Sequence, residues 1–314
     1  MFRILSVFFA ASAAVLLSMT GQALTATPAP WPNLALPTLG GKQLWADRYF
    51  YAGWRIQENV LTGHSRLLDP DNVRRCWGPF EACRDAFERI RAERDIASYR
   101  GHLVILLHGL GRSPASFGGL EPALRENGYQ VAAVAYPSTR RSLARNADSL
   151  QEVIENLEGV DRLSFVTHSL GGLLVRELLR RDAAWRDRIA VNAVVMTAPP
   201  SRGAAVADAL DGVPPIDWIL GDGLDAATTA RATTLSAPDV PFGVVAAGRG
   251  GEGYNPFLPG DDDLLVRVDE TRLAGATDWL YVPAVHSFVM NHPETIRATM
   301  NFLRYQRFTM PALD

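Results

Sequence analysis

One serine of this chain stands where a serine can do chemistry. In Leu163-Ser164-Phe165-Val166-Thr167-His168-Ser169-Leu170-Gly171-Gly172 an apolar, strand-like run ends at Ser169, and two glycines follow at the start of an amphipathic helix. Such a strand-to-helix turn exposes a hydroxyl, the glycines let the two backbones approach closely, and the first N–H groups of the helix lie beside it. That arrangement suits attack on an acyl carbon. The hydroxyl alone is a poor nucleophile at neutral pH, so a base must take its proton and return it to the leaving group. Upstream, His108-Gly109-Leu110-Gly111 forms a second glycine-rich turn after another apolar run.

Other chemistries find less support. A dinucleotide fingerprint G-x-G-x-x-G from Gly109 would need a third glycine at Pro114, and no Lys-Ser/Thr pair follows to make a phosphate loop. No nucleotide or other cofactor is therefore expected. Cys76 and Cys83 make a poor metal site, because structural zinc normally takes four ligands; no metal is expected there. Asp261, Asp262 and Asp263 are consecutive, a pattern that suits a solvated turn or a cation-binding loop as well as a catalytic acid.

The elements that must position these residues read as strands alternating with helices from residue 102 onward. Strands are predicted at 102–107, 130–136, 162–167, 191–197, 241–247 and 278–285, and helices at 115–127, 142–157, 171–181 and 292–304. Continuous apolar strands between amphipathic helices specify an α/β fold, a mostly parallel sheet flanked by helices. The stretch 199–239 is too long for a simple connection and is predicted to be a cap over a cleft, with Val213, Ile216, Trp218, Ile219 and Leu220 as candidates for an apolar wall. His292, followed by Pro293, reads as the cap of the last helix.

The N-terminal part has a different character. Arg3 precedes an apolar run from Ile4 to Met19, 16 residues long, short of the roughly 20 needed to span a bilayer. Gly21-Gln22-Ala23 then offers small residues at a cleavage point, so residues 1–23 read as a signal peptide. Export to the periplasm or the extracellular space follows, with no integral membrane span in the mature chain; an uncleaved N-terminal anchor is the alternative. In that setting Cys76 and Cys83 are expected to form a local disulfide. Residues 24–100 read as an N-terminal extension carrying it, with a helix around 85–95, and 101–314 as the catalytic domain. The aromatic residues Trp54, Trp77 and Phe80 are expected to join the extension to its core or to border the cleft.

Composition narrows the partners. With 31 Lys+Arg against 34 Asp+Glu the net charge is −3, which excludes a strongly basic nucleic-acid binder. At 47% hydrophobic and 21% charged, the chain can bury a sizeable core and is not disordered.

From Thr167-His168-Ser169-Leu170-Gly171, with its flanking strand and helix, residues 102–306 resemble the α/β-hydrolase family, in particular its small lipases, esterases and inositol-deacylase-like members. The family's nucleophile motif is G-x-S-x-G, and here Thr167 replaces the first glycine. The resemblance implies Ser169 as nucleophile. It implies His286, in Val282-Pro283-Ala284-Val285-His286-Ser287, as base. From Pro259-Gly260-Asp261-Asp262-Asp263-Leu264 it implies Asp263 as acid, with Leu264 where glycine is usual. The His-Gly turn implies backbone N–H groups of Leu110 and Leu170 as the oxyanion hole. The implied activity is hydrolysis of a small-molecule or lipid carboxylic ester without a cofactor. A hydrolase-like binding protein without activity, or an amidase or thioesterase, fits the same residues.

Overall fold

A computed structural model describes residues 36–37 and 43–309; the signal peptide expected at 1–23 lies outside the described residues. From Gly101 onward six strands form one parallel sheet: β6 (Gly101–Leu107), β7 (Gln130–Val134), β8 (Val160–His168), β9 (Ala190–Thr197), β10 (Phe242–Gly248) and β11 (Asp278–Pro283), in the order β11-β10-β9-β8-β6-β7. The unbroken apolar run of β6 has a direct cause. Leu103, Ile105 and Leu107 enter one hydrophobic cluster and Val104 and Leu106 the opposite one, all fully buried, because alternate side chains point to opposite faces of a sheet covered on both.

Helices α3 (Leu143–Glu155) and α4 (Leu170–Leu179) supply Leu150, Val153, Leu174 and Leu178 to the first cluster, and α2 (Leu120–Glu126) and α8 (Pro293–Tyr305) supply Leu120, Leu124, Phe302 and Leu303 to the second. The helix expected over 115–127 is interrupted: a 3-10 turn at Pro114–Phe117 and α2 are separated by Gly118-Gly119, two residues that cost helix stability. His292 stands at the N-terminus of α8, where its Nδ1 accepts from the Glu294 N–H at 3.3 Å.

Strand order reverses between β6, which leads out to β7, and β8, which leads the other way to β9. Ligand crevices of open parallel sheets form at such a switch, beyond the carboxyl ends of the strands. Ser169 follows β8 and the His108-Gly109 turn follows β6, so the sheet topology alone brings the two turns together.

The extension is a second, antiparallel sheet, β1 (Leu36–Pro37), β2 (Trp45–Tyr51), β3 (Trp54–Asn59), β4 (Ser65–Leu68) and β5 (Val73–Gly78), followed by α1 (Phe80–Arg94). Trp54, Tyr49, Tyr51, Ile56 and Phe87 form its core, whereas Trp77 is 42% exposed. The two cysteines expected to pair lie together in this core, unbridged in the structure. Cys76 and Cys83 are buried free thiols within that core; the Cys76 Sγ–H is directed at the Ala82 carbonyl, 3.7 Å away, and the Cys83 thiol hydrogen-bonds to the Cys76 sulfur. That bond lowers the Cys76 pKa to about 7 and raises that of Cys83.

The extension is fastened to the parallel sheet by backbone-like pairing. Asp47 N–H donates to the Ala135 carbonyl at 2.9 Å, and Ala135 N–H donates to the fully buried Asp47 carboxylate at 2.7 Å. Among the described residues no helix is long and apolar enough to cross a membrane.

Candidate active site

Ser169 occupies a backbone conformation that few non-glycine residues adopt, φ 51° and ψ −122°; such a residue costs about 1–3 kcal/mol and persists only where its surroundings hold it. Here they do. Its N–H donates to the Thr197 carbonyl and its carbonyl accepts from the Gly172 N–H, each at 2.9 Å. Gly171 is required because a Cβ there would sit 2.3 Å from the Leu107 carbonyl oxygen, so α4 could not start this close to β6. Thr167, in place of the usual glycine, is fully buried, and its carbonyl accepts from the Thr197 hydroxyl at 2.7 Å. Gly172 lies opposite, where an added Cβ would stand 3.5 Å from the Thr167 hydroxyl.

The Ser169 hydroxyl lies 2.9 Å from His286 Nε2, and His286 Nδ1 lies 2.7 Å from Asp263 Oδ2. Asp263 is fully buried. Its Oδ1 accepts from the N–H groups of Leu265 (3.1 Å) and Val266 (2.8 Å), and its carbonyl accepts from the His286 N–H at 2.8 Å. A carboxylate that can only accept therefore faces Nδ1, which fixes Nδ1 as the protonated nitrogen and leaves Nε2 free to accept from Ser169.

The three consecutive aspartates have separate tasks. Asp261 Oδ1 accepts from the N–H groups of Arg249 and Gly250. Asp262 Oδ1 accepts from Tyr254, Asn255 and Leu264. Only Asp263 reaches a histidine. Leu264, at the position where a glycine is usual, takes φ 95°, a conformation that glycine adopts without strain.

His168 immediately precedes Ser169 at the end of β8. It is buried beside the site, where its Nε2–H donates to the His286 carbonyl at 2.9 Å and its ring centroid lies 4.8 Å from that of His286. Burial, and the neighbouring His286 charge after it, push its pKa well below the ordinary histidine value. A neutral ring thus supports the loop that carries His286. Gly109 is small for the same reason: a Cβ there would come 2.9 Å from His168 Nδ1 and 3.0 Å from Ser169 Cβ.

A cavity of about 280 Å³ opens beside Ser169 and His286. Leu110 and Leu170 line it next to the hydroxyl, and Ala207, Leu210, Leu220 and Leu224 form its far wall. Leu170 is the first residue of α4, so its N–H has no carbonyl one turn back to bond. The far wall belongs to the segment expected as a cap, which folds as α5 (Ala205–Leu210), α6 (Pro214–Ala226) and α7 (Thr229–Ala232). Helix α6 kinks at Gly221, φ 47°. Of the five wall candidates only Leu220 lines the cavity. Val213, Trp218 and Ile219 are exposed, Trp218 by 77%, and Ile216 packs within the cap. Leu220 and Leu224 stand on either side of that kink and both line the cavity, whereas Trp218 and Ile219 face solvent. Among the described residues no cluster of three His, Cys, Asp or Glu side chains could hold a metal ion.

The family model that matches residues 77–230 is described as a domain of unknown function, DUF7379. No curated protein sequence matches the chain. Among solved structures, the chain is similar to the lipase BlEst2 of Bacillus licheniformis in its mature form, at 17% identity and a TM-score of 0.53, over 64% of this chain and 91% of that one. The propeptide form of the same lipase matches at 18% identity and a TM-score of 0.55, over 67% of this chain and 52% of that one.

Proposed function

We propose, for a chain that is an α/β-hydrolase by fold, that it is an exported serine hydrolase of carboxylic esters with an apolar acyl group. The observation that carries this reading is the continuous hydrogen-bonded line from the Ser169 hydroxyl through His286 to Asp263, at the mouth of an apolar cavity. Export rests on the character of residues 1–23.

In this mechanism His286 Nε2 takes the Ser169 proton as Oγ attacks the ester carbonyl, and Asp263 stabilises the imidazolium that forms. The carbonyl oxygen becomes an oxyanion that accepts from the N–H groups of Leu110 and Leu170. The imidazolium then protonates the departing alcohol, which leaves Ser169 acylated. Water, deprotonated by the same ring, attacks the acyl-enzyme and releases the acid. The acyl chain lies against Leu210, Leu220 and Leu224, whose apolar surface gives no partner to a charged chain.

The test is a panel of p-nitrophenyl esters of increasing acyl length, hydrolysed by the purified protein and by Ser169→Ala. Turnover that vanishes in the variant while its far-UV spectrum is unchanged supports the reading. Equal turnover by both proteins removes Ser169 as nucleophile.

A further inference from the structure

We propose that Gln43, in the N-terminal extension, is a positioning residue for the oxyanion turn, so that the extension forms part of the catalytic apparatus. The inference rests on the serine hydrolase reading and adds to it a residue from outside the catalytic domain. Leu110, whose N–H would meet the oxyanion, lies between Gly109 and Gly111, and Gly111 has φ 67°. A turn with glycine on both sides has little stiffness of its own, and within it Arg112 N–H reaches the Gly109 carbonyl at only 3.2 Å. Its direction must come from outside.

Gln43 supplies that direction. Its Nε2 donates to the Arg112 carbonyl at 2.9 Å. Its Oε1 accepts from the Ser138 hydroxyl (3.1 Å), the Thr139 N–H (2.8 Å) and the Thr139 hydroxyl (3.0 Å). The buried Ser138 hydroxyl has one proton and gives it to Gln43, so its lone pair is available to the Gly111 N–H, 3.0 Å away. The result is a closed ring of bonds, from Gly111 N–H through Ser138 and Gln43 back to the Arg112 carbonyl, that clamps the backbone immediately after Leu110. The Gln43 amide both accepts from Ser138 and donates to Arg112, which neither an alanine nor a carboxylate at this position can do.

The same segment seats the cap. Added Cβ atoms at Gly221 and Gly223 would come 2.7 Å from the Thr139 carbonyl oxygen and 2.0 Å from that of Ser138, so α6 lies directly on 138–139. At the other end of the turn, Tyr136 OH donates to the His108 carbonyl and the two rings stack with centroids 4.2 Å apart. Gln43 thus closes the open end of a turn whose other end the catalytic domain already holds.

The test compares the full chain with Gln43→Ala and Gln43→Glu, the latter keeping an acceptor for Ser138 and Thr139 while placing an oxygen against the Arg112 carbonyl. Four quantities are measured: kcat and KM on p-nitrophenyl butyrate, the inhibition constant of an alkyl trifluoromethyl ketone whose adduct puts an oxyanion in the hole, and Tm. Outright loss of one oxyanion donor costs about 10²–10³ in kcat; a misdirected donor costs less. The expected result is a kcat about 10- to 100-fold lower in both variants, KM within about twofold, and an inhibition constant raised in proportion to the loss in kcat. A brace that is merely structural would lower Tm and leave kcat per folded molecule and ketone affinity unchanged below the transition. Unchanged kcat and inhibition constant, or a lower kcat with unchanged ketone affinity, overturns the proposal. Persistent turnover by Ser169→Ala overturns the parent reading instead, so the two failures are distinguishable.

Discussion

Exchanging the three aspartates one at a time for asparagine separates the acid from its neighbours. Asp263→Asn keeps the Oδ1 that accepts from Leu265 and Val266 N–H groups, so the loop retains its local bonds. The change falls on Oδ2, 2.7 Å from His286 Nδ1, where an amide N–H now faces a ring N–H. The ring relieves that clash by moving its proton to Nε2, the nitrogen that must accept from Ser169. An acid-to-amide change that imposes the wrong tautomer costs about 10⁴ in kcat in a serine protease, equivalent to about 5 kcal/mol of barrier. We expect a loss of that order here, with Tm lowered by at most a few degrees. Asp262→Asn is expected to behave in the opposite way. Its Oδ2 is buried without a partner, so an amide nitrogen there becomes an unpaired buried donor, at about 1–3 kcal/mol of stability, while His286 keeps its carboxylate. Asp261→Asn, at a partly exposed turn, should change little. The assay is p-nitrophenyl butyrate turnover per titrated active site, beside thermal melts. An Asp263→Asn protein retaining kcat within tenfold of wild type, or an Asp262→Asn protein with intact Tm and abolished turnover, would refute the reasoning.

Three further expectations come from other parts of the molecule. Leu264→Gly should raise stability by about 1 kcal/mol, because it relieves a positive φ at an exposed leucine; calorimetry showing a lower Tm would count against strain there. Ala207→Phe, which narrows the far wall of the cavity, should shift preference toward shorter acyl chains, and an unchanged chain-length profile would separate this cavity from the acyl site. Stability should fall below neutral pH. Burial lowers the His108 pKa to about 4, against about 6.5 when unfolded, so protons bind the unfolded chain first. The stability is complete above about 6.5 and lost as pH falls toward 4, by about 3 kcal/mol for His108. His168 adds in the same direction, and Asp47, raised chiefly by burial, opposes. Urea denaturation at pH 7 and 4.5 checks this, with a shallower slope expected for His108→Phe; a wild-type midpoint independent of pH contradicts it.

The parallel-sheet half of the fold was legible because its signals are local. Apolar strands of five or more residues, such as Leu103–Leu107, announce a sheet buried on both faces, and Ser169 with Gly171-Gly172 announces a turn that no bulkier sequence could make. The extension was less legible. The paired strands β2 to β5 contain buried polar groups, Asp47, Gln57 and Arg66, that satisfy one another across strands and blur the alternation of a half-buried sheet. Cys76 and Cys83 were legible as a pair, and both lie in the apolar core of the extension. Gln43 carries no sequence signal at all: its importance comes from partners at Arg112, Ser138 and Thr139, which only the folded chain brings to it.

The most direct measurement is intact-protein and peptide mass spectrometry after reaction with a fluorophosphonate, run beside residual esterase activity. One adduct per chain, on the peptide bearing Ser169, accumulating as activity disappears and absent from Ser169→Ala, is the result this account predicts. An inactivated protein whose adduct lies on another residue, or an active protein that never reacts, would contradict it.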